Sequence, residues 1–383
     1  MSVWLLVAGD FTAHGGMDMA NYALARYLAR TVSPAGREVH VVSHRVAPEL
    51  SSLPSIHTHV VPRPLGAHRF GEPLMRLGAH RWQRRLASRG VRTVANGGNA
   101  DTRDINWVHY VHGAFEPEAN GLRNRALASS KHRRYVREER RALANARVII
   151  CNSKRTADDV SKVDGVDRAR TRVVYYGVDG SRFGKADATE RERARRELGL
   201  PRDRPLALFV GALGDRRKGF DVVFEAWRSL CARADWDTDL VVAGTGAELP
   251  AWQARASEQL PGDRMRFLGF RTDMPAIFAA CDLLIHPARY EAYGLAVHEA
   301  LCRERAAIVS ASAGVAERYP VDLHHLLLHD PNSAGELTSR LLSWRSDDEL
   351  PRRVSDFGSR LRARTWDDMG REIEQLVSDD SAN

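Results

Sequence analysis

The chain has 383 residues, of which 43% are hydrophobic and 28% charged, and its formal net charge is +8. This length and composition predict a globular protein of about two domains and exclude collagen-like, low-complexity and disulfide-stapled classes. The four cysteines lie far apart with no CxxC pair, so we expect neither a disulfide framework nor a zinc site.

The positive charge is concentrated in the first half of the chain. The first 185 residues hold 30 Lys and Arg against 16 Asp and Glu, whereas the remainder holds 27 against 33. Part of this charge lies on two predicted basic helices, which carry Arg81, Arg84, Arg85 and Arg89 and the run at 131–141, KHRRYVREERR. Such faces can attract anionic lipid, glycan or nucleic acid, although most are only solvated.

The opening apolar run, VWLLVAG, is too short to span a membrane and lacks the flanks of a signal peptide. We therefore expect a cytoplasmic protein, with peripheral binding to the inner face of an anionic membrane as a hypothesis. Nucleic acid is not an expected partner, because little aromatic sequence is interleaved with the basic runs.

The chain begins with a strand at 3–8, the loop GDFTAHGGMD and an amphipathic helix at 19–30. Gly15 and Gly16 would let the backbone approach a bulky anionic group at the start of this helix, although a tight turn also needs glycine. Further strands are predicted at 38–43, 57–61, 91–95, 148–153 and 172–176, with helices at 72–88, 133–145 and 156–160.

The segment 105–115, INWVHYVHGAF, predicts a strand that opens into a loop near His109 and His112. Ligands of open α/β sheets bind at the carboxyl ends of the strands, so either histidine could line a binding cleft. His112 is the candidate for a site role, although a lone histidine can also be a packed or surface residue.

The polar, charged segment 181–204 marks a domain boundary, after which strand, loop and helix alternate again. A strand at 206–212 leads through LGDRRKG into a helix at 220–234, and the cations Arg217 and Lys218 before that helix favour a phosphate site. Further strands are predicted at 239–243, 265–268, 282–286 and 307–310. This alternation predicts two doubly wound α/β domains with parallel sheets.

The most informative stretch is 282–299, DLLIHPARYEAYGLAVHE, in which a strand and a loop precede a helix. Glu291 falls just before the helix N-terminus, and Glu299 lies about a turn and a half inside the helix. If the whole segment from Glu291 to Glu299 were helical, the rise between them would be about 12 Å. The catalytic carboxyl groups of glycosidases lie about 5–9.5 Å apart. The larger separation calculated here argues against a glycosidase.

With these motifs in view, the chain resembles the retaining glycosyltransferases of family 4. Besides the glutamates at Glu291 and Glu299, FVGALGDRRKGFD at 209–221 resembles the donor-phosphate loop, FLGFR at 267–271 the base-binding loop, and YYGVD at 175–179 the domain junction. The resemblance implies the GT-B fold, in which two Rossmann-like domains face a central cleft. It also implies an acceptor-side domain at 1–184, a donor domain at 185–360, and a final helix within 361–383 that packs on the first domain.

The resemblance implies a role for each matching residue. His112 and Glu291 would lie at the reacting sugar, and Glu299 would hold the donor ribose. The implied donor-binding residues are Gly15, Gly16, Arg217, Lys218, Phe270, Arg271, Tyr293, Gly294, Leu295 and Glu299.

The expected function is the transfer of a hexose, with retention, from a UDP- or GDP-sugar to a glycan, lipid-linked or small-molecule acceptor, without a cofactor or metal. An epimerase or phosphorylase on the same fold is an alternative, and a basic nucleic-acid-binding protein is a more distant one. A metal-dependent transferase would need an Asp-x-Asp motif, and DWDTD at 235–239 contains one. Because it precedes a strand, away from the usual ligand crevice, we interpret it as a solvated turn.

Four residues depart from the family pattern. Ala212 stands where an arginine often follows the first glycine of the phosphate loop, and Tyr176 stands where an asparagine is common. Glu304 and Ala306 occupy the loop that usually carries a glycine and a proline after the second glutamate. These departures predict an outlying branch, in which Arg216 or Arg217 substitutes for the missing arginine.

Overall fold

The computed structural model describes residues 2–30, 36–66, 68–116 and 122–379, with only the backbone described at 68, 69, 122–127 and 379. The chain divides into two compact units, one formed by Met1–Gly177 with Thr365–Asn383 and the other by Val178–Arg364. The divisions expected from sequence, after residues 184 and 360, lie a few residues away from these. We call the two parts unit 1 and unit 2.

Unit 1 contains a parallel sheet in which the described residues supply seven strands, in the order β5-β3-β1-β6-β7-β8-β9. Its strands are β1 (Ser2–Val7), β2 (Asp10–Phe11), β3 (Arg37–Ser43), β4 (Arg45–Val46), β5 (Ile56–Val60), β6 (Arg92–Asn96), β7 (Ile105–Val108), β8 (Val148–Cys151) and β9 (Thr171–Val173). Its helices are α1 (Gly16–Arg30), α2 (Pro48–Ser51), α3 (His68–Leu86), α4 (Leu122–Asn145), α5 (Lys154–Ser161) and, from the end of the chain, α13 (Trp366–Asp379). The short strands β2 and β4 pair only with each other.

Unit 2 contains a second parallel sheet, with six strands within the described part of the chain, in the order β12-β11-β10-β13-β14-β15. Its strands are β10 (Leu206–Val210), β11 (Asp239–Ala243), β12 (Met265–Gly269), β13 (Leu283–His286), β14 (Ala306–Ser310) and β15 (Leu327–Leu328). Its helices are α6 (Ala188–Glu197), α7 (Phe220–Cys231), α8 (Leu249–Gln259), α9 (Met274–Ala280), α10 (Leu295–Cys302), α11 (Ala334–Arg345) and α12 (Leu350–Arg362).

The two parallel α/β sheets predicted from the sequence are confirmed. The central strands read as unbroken apolar runs because helices cover both faces of a parallel sheet. In β10 the first four residues are buried, and β11 is buried at all five positions. In both sheets the order reverses beside the first strand of the unit, so the ligand crevice is expected at the carboxyl ends of these central strands.

The final helix, α13, belongs to unit 1, where it packs against α1. Met369, Ile373 and Val377 repeat every four residues and are fully buried. The Tyr27 hydroxyl donates to the Glu374 carboxylate at 2.9 Å, and the Arg37 guanidinium donates to the same carboxylate at 2.5 Å. The last helix therefore completes the core of the first unit, although it follows the whole of unit 2 in the sequence.

Within the residues described above, no helix is both long and apolar enough to cross a membrane.

Gly358 provides a test of helix packing in unit 2. A Cβ atom on Gly358 of α12 would lie 2.2 Å from the Leu301 carbonyl oxygen of α10, so Gly358→Ala must separate the two helices. We expect the free energy of unfolding to fall by about 1–3 kcal/mol and the melting temperature to fall by several degrees. Gly335→Ala on the exposed start of α11 is the matched control, because the added Cβ meets only Ser333 Oγ at 3.9 Å. Thermal unfolding followed by circular dichroism should show no loss for Gly335→Ala, and equal melting temperatures would contradict the tight α10–α12 contact.

Candidate active site

The candidate site of unit 2 is formed by the loops that follow β10 and β13, two adjacent parallel strands. The Lys218 ammonium donates to Glu291 Oε2 at 2.7 Å, although the residues are 73 positions apart. The loops are held together by the Arg289 amide, which donates to the Arg217 carbonyl at 2.7 Å. Gly219 allows their close approach, because it has a φ of +73° and a Cβ there would lie 2.2 Å from the Pro287 carbonyl oxygen.

Glu291 has a second donor that the sequence did not single out. His286, the last residue of β13, is 3% exposed, and its Nε2 lies 2.9 Å from the same Glu291 oxygen that binds Lys218. Burial alone would raise the pKa of Glu291, but the positive charge of Lys218 and the hydrogen bond from His286 outweigh it and hold the pKa well below its usual range. Glu291 is therefore a fixed anion at neutral pH.

The helix predicted after Glu291 is present as α10, and it begins at Leu295. Gly294 precedes it with a φ of +105°, a conformation that favours glycine, and a Cβ there would lie 3.0 Å from Val315 and 3.4 Å from Glu291. The helix therefore begins after Glu291, as predicted, and the condition of a continuous helix from Glu291 to Glu299 is not met. The rise of about 12 Å calculated for that condition does not apply, so the argument against a glycosidase rests on the different surroundings of the two acids.

Glu299, inside α10, has a protonation state opposite to that of Glu291. Burial raises the pKa of Glu299 to about 8, and the opposing effect of Arg182 is smaller. Its carboxyl group is therefore largely protonated at neutral pH. A ligand that donates hydrogen bonds to a carboxylate would therefore have to drive proton release from Glu299.

The other predicted donor residues of unit 2 lie in two places, beside the start of α10 and after β12. The Tyr293 hydroxyl lies 2.6 Å from His298 Nδ1, both residues are buried, and Leu295 is half-buried. Phe270, which follows β12, is 75% exposed, as a ring that stacks on a ligand would be. Beside it, the Arg271 guanidinium bonds to Asp273 at 2.5 Å.

The predicted phosphate-loop arginine is also paired within its own loop. Arg217 donates to Asp215 through two nitrogens, at 2.9 and 2.7 Å, and this pairing lowers the pKa of Asp215 despite its partial burial. Ala212, at the position of the usual family arginine, is exposed. Of these loop cations, Lys218 is the one that contacts Glu291, while Arg217 keeps its side chain 40% exposed.

The family departures at Glu304 and Tyr176 have local structural explanations. Glu304 adopts a φ of +59°, a conformation in which glycine is usual. Ion pairs to Lys185 at 3.0 Å and to Arg362 at 2.9 Å offset the energetic cost of this conformation. In unit 1 the Tyr176 hydroxyl lies 2.5 Å from His109 Nδ1 and accepts from the Asn152 amide at 3.0 Å.

In unit 1, His112 lies in a single 3₁₀ turn just after β7. Its Nδ1 is 3.0 Å from Glu139 Oε1, and its backbone amide donates to Glu139 Oε2 at 2.9 Å. Glu139 lies on α4 and is 2% exposed. Because Nδ1 is engaged by the carboxylate, the other ring nitrogen, Nε2, is left for a ligand. This pairing could not be predicted from the sequence, because Glu139 lies 27 positions after His112.

The glycine loop precedes α1 as predicted, and α1 begins at Gly16. Gly15 has a φ of +82°, and a Cβ on Gly16 would meet no atom within 4 Å. The space beside Gly16 is therefore open, so an anionic group could approach the start of this helix.

The Asp-x-Asp segment is a set of ion pairs at the amino end of β11, away from the carboxyl ends of the strands. Asp235 pairs with Arg233 at 2.8 Å, Asp237 with Arg345 at 2.6 Å and Asp239 with Arg264 at 2.9 Å. Within the part of the chain that the structure describes, Glu38, His40 and His57 are the group whose ligand atoms lie within 4.8 Å of one another, but Glu38 is already paired with Arg89 at 2.8 Å.

The raised pKa of Glu299 predicts how stability depends on pH. Because the folded protein holds a proton that the unfolded chain loses near pH 4.5, this group favours folding at low pH, and its contribution is lost as the pH rises through about 8. Replacing Glu299 by Gln, which keeps the shape and cannot ionise, should reduce the fall in stability between pH 5 and pH 8. Urea unfolding followed by tryptophan fluorescence measures this, and parallel pH curves for the two proteins would contradict it.

Comparison with known proteins shows which family the chain resembles. The model of the family "Glycosyltransferase Family 4" matches residues 14–182, and that of "Glycosyl transferases group 1" matches residues 190–360. A curated relative, D-inositol 3-phosphate glycosyltransferase of Corynebacterium urealyticum, is 27% identical over 287 residues, which are 72% of this chain and 66% of the relative. The match thus covers slightly less than two thirds of that relative's length.

Solved structures share the fold over nearly the full chain. WaaG, a glycosyltransferase involved in lipopolysaccharide biosynthesis, superposes with a TM-score of 0.76 at 21% identity and covers 98% of this chain and 99% of its own. Anabaena HepE in complex with UDP-glucose superposes with a TM-score of 0.74 at 17% identity, over 99% of this chain and all of its own. Since the two family models together account for most of both units, the chain belongs to family 4 of the glycosyltransferases and has the GT-B fold.

Proposed function

We propose that the protein transfers a hexose from a nucleotide diphosphate sugar to an acceptor hydroxyl with retention of configuration and without a metal. The observation that carries this proposal is the contact of Lys218 with Glu291 at the carboxyl ends of two central strands, with Glu299 following in α10. An ammonium and two acids in opposite protonation states are the groups that a donor with a diphosphate, a sugar and a ribose requires.

In this mechanism each group of unit 2 has one task. The leaving diphosphate accumulates charge as its bond to the sugar breaks, and Lys218 and Arg217 stabilise that charge. Glu291, held by His286 and Lys218, accepts hydrogen bonds from sugar hydroxyls and orients the ring. Glu299 accepts hydrogen bonds from the ribose hydroxyls after losing its proton. The base lies in the region of Phe270 and Arg271.

Unit 1 also has groups suited to a substrate of this kind. Gly15 and Gly16 leave room for an anionic group at the start of α1. His112, oriented by Glu139, has Nε2 available for a hydrogen bond to a sugar hydroxyl. The acceptor proton passes to the leaving phosphate as the new bond forms on the same face of the sugar. HepE was crystallised with UDP-glucose, which supports a nucleotide-sugar donor for the present chain.

The two acids are expected to respond differently to truncation. Glu299→Ala should weaken UDP or GDP binding by about 10- to 100-fold, since a hydrogen bond to a charged group contributes about 1.5–3 kcal/mol. Glu291→Ala should keep nucleotide affinity within about threefold and lower kcat by about 100-fold or more. Isothermal titration calorimetry and a transfer assay measure the two effects. Glu258→Ala on the exposed side of α8 is the control for loss of an acid.

Unchanged nucleotide affinity in Glu299→Ala would show that the ribose assignment is wrong. The same transfer assay in EDTA tests whether a metal is needed. Activity should persist in EDTA, and a loss of activity would rule out the metal-independent mechanism. Incubation with the donor alone tests the epimerase alternative, since an epimerase converts the sugar nucleotide without any acceptor.

We also propose that unit 1 docks on an anionic membrane surface through α3. Three of the six cations of the basic run on α4 form ion pairs within the unit, namely Arg134 with Glu138 at 2.8 Å, Arg140 with Asp164 at 3.2 Å and Arg141 with Asp101 at 2.9 Å. On α3, Arg81, Arg84 and Arg85 are exposed. They line one groove with Leu77 and Val60, each 66% exposed, so charge and apolar surface occur together.

Membrane docking of this kind predicts salt-sensitive binding to vesicles that contain phosphatidylglycerol. Raising the salt from about 50 mM to about 500 mM should release most of the protein, because the screening length falls below about 5 Å. Arg81→Glu with Arg84→Glu should weaken binding at low salt by about tenfold or more, since each arginine contributes about 1 kcal/mol near the surface. Arg140→Glu on α4 is the matched control. Binding in sedimentation assays that ignores salt or the α3 changes would contradict the proposal.

A further inference from the structure

Arg289 contacts several parts of the 216–218 turn, the 3₁₀ turn between β10 and α7 that ends at Lys218. Arg289 lies in the loop after β13, two residues before Glu291, and its side chain is only 20% exposed. No motif in the sequence assigned it a role, because arginines are mostly exposed. Its low exposure requires that its donors bind groups of the protein.

The guanidinium of Arg289 forms a two-point fork on Asp221, in the first turn of α7. Nη1 donates to Oδ1 at 2.9 Å, and Nη2 donates to Oδ2 at 2.7 Å. Burial would raise the pKa of Asp221, but the hydrogen bonds and positive charge of Arg289 outweigh burial and lower this pKa. The contact is therefore a bidentate pair between charged groups, which is among the strongest and most directional contacts of a side chain.

The same arginine binds three further acceptors. Nη1 also donates to the Arg216 carbonyl, and Nε donates to the side-chain oxygen of Asn332, in the loop before α11, at 2.7 Å. The Arg289 amide donates to the Arg217 carbonyl at 2.7 Å. Arg289 thus holds positions 216 and 217, just before Lys218, and position 221, just after it.

These contacts restrict Lys218 from both sides along the chain. Its ammonium donates to Glu291 Oε2 at 2.7 Å, so the segment 289–291 holds the backbone around the lysine as well as the end of its side chain. A displacement of about 1 Å near a reacting centre can lower a rate by about 100-fold. We propose that Arg289 is a positioning residue of the transfer reaction, which holds the Lys218 ammonium where charge develops on the leaving diphosphate.

The proposal rests on the proposed glycosyltransferase function and concerns the diphosphate part of the donor. Because Nε, Nη1 and Nη2 all bind protein groups, Arg289 acts through Lys218 and not on the donor itself. An arginine suits this task because its five N–H groups lie in one rigid plane, whereas a lysine offers three donors from one point. Lysine at this position would keep the charge but could not bind Asp221, Asn332 and the Arg216 carbonyl together.

Nucleotide binding to the full-length protein isolates the contribution of the second phosphate. We would measure the Kd of UMP against UDP, and of GMP against GDP, by isothermal titration calorimetry. For the base that binds, Arg289→Lys should reduce the ratio of monophosphate Kd to diphosphate Kd by about fivefold or more, because a contact with a charged group is weakened. The Kd of the monophosphate should stay within about threefold. An unchanged ratio would overturn the proposal.

A double-mutant cycle tests whether Arg289 acts through Lys218. Arg289→Lys should lower kcat in the transfer assay by about 10- to 100-fold, and Lys218→Ala should lower it by about 100-fold or more. The double variant should have a kcat within about threefold of that of Lys218→Ala, since the position of an absent ammonium cannot be disturbed. An arginine with a merely structural role would lower kcat by the same factor in both backgrounds, and that result would overturn the proposal.

Asp221→Asn weakens the fork from its other side, so the test stands even where Lys218→Ala fails to fold. It should lower both kcat and the ratio of Kd values, as Arg289→Lys does, and unchanged values would overturn the proposal. Arg345→Lys is the matched control, because Arg345 forms the same kind of fork on Asp237, at 2.9 and 2.6 Å, near the amino end of β11. It should leave both quantities unchanged, and a loss equal to that of Arg289→Lys would count against a specific role for Arg289.

The outcomes also separate this proposal from the proposed function. If the wild-type protein transfers sugar and Arg289→Lys has equal effects with and without Lys218, only the role of Arg289 is overturned. If the wild-type protein neither binds a nucleotide nor consumes a donor, the glycosyltransferase function is overturned, and the role of Arg289 with it.

Discussion

The ion pair between Lys218 and Glu291 is the interaction on which the candidate site of unit 2 depends. A carboxylate that is 18% exposed must be compensated, and Lys218 and His286 do so by binding the same oxygen. This requirement holds together two loops from adjacent strands, and Gly219 permits the approach because any side chain there would strike Pro287. The position of Glu291, the position of Lys218 and the start of α10 therefore depend on one another.

Burial has opposite effects on the two glutamates of this site, because only one of them has a cation in contact. Glu291 is kept ionised by its partners, whereas Glu299 has its pKa raised to about 8 by burial. The pair therefore comprises a permanent hydrogen-bond acceptor and a second acid that is largely protonated at neutral pH. In unit 1 a buried glutamate has a third use, since Glu139 orients His112 through its ring and its backbone.

Charge pairing also revises how the basic first half of the chain is understood. Three of the six cations in the run on α4 bond to carboxylates of the same unit, as Arg134 does to Glu138 and Arg140 to Asp164. The exposed arginines of α3 lie beside apolar side chains. A net charge of +8 therefore identifies neither the surface nor the partner until the internal pairs have been assigned.

The sequence by itself determined the two parallel sheets, most helices and the motifs at 209–221 and 282–299, because buried strands and amphipathic helices leave local periodic patterns. It did not determine the roles of His286 or Glu139, since these depend on contacts with residues elsewhere in the chain. The prediction that Glu291 precedes the helix is confirmed, and Gly294, with a φ of +105°, lies directly before α10. Only the tertiary structure decides which charges meet, because ion pairs form between loops whose approach is set by the whole sheet.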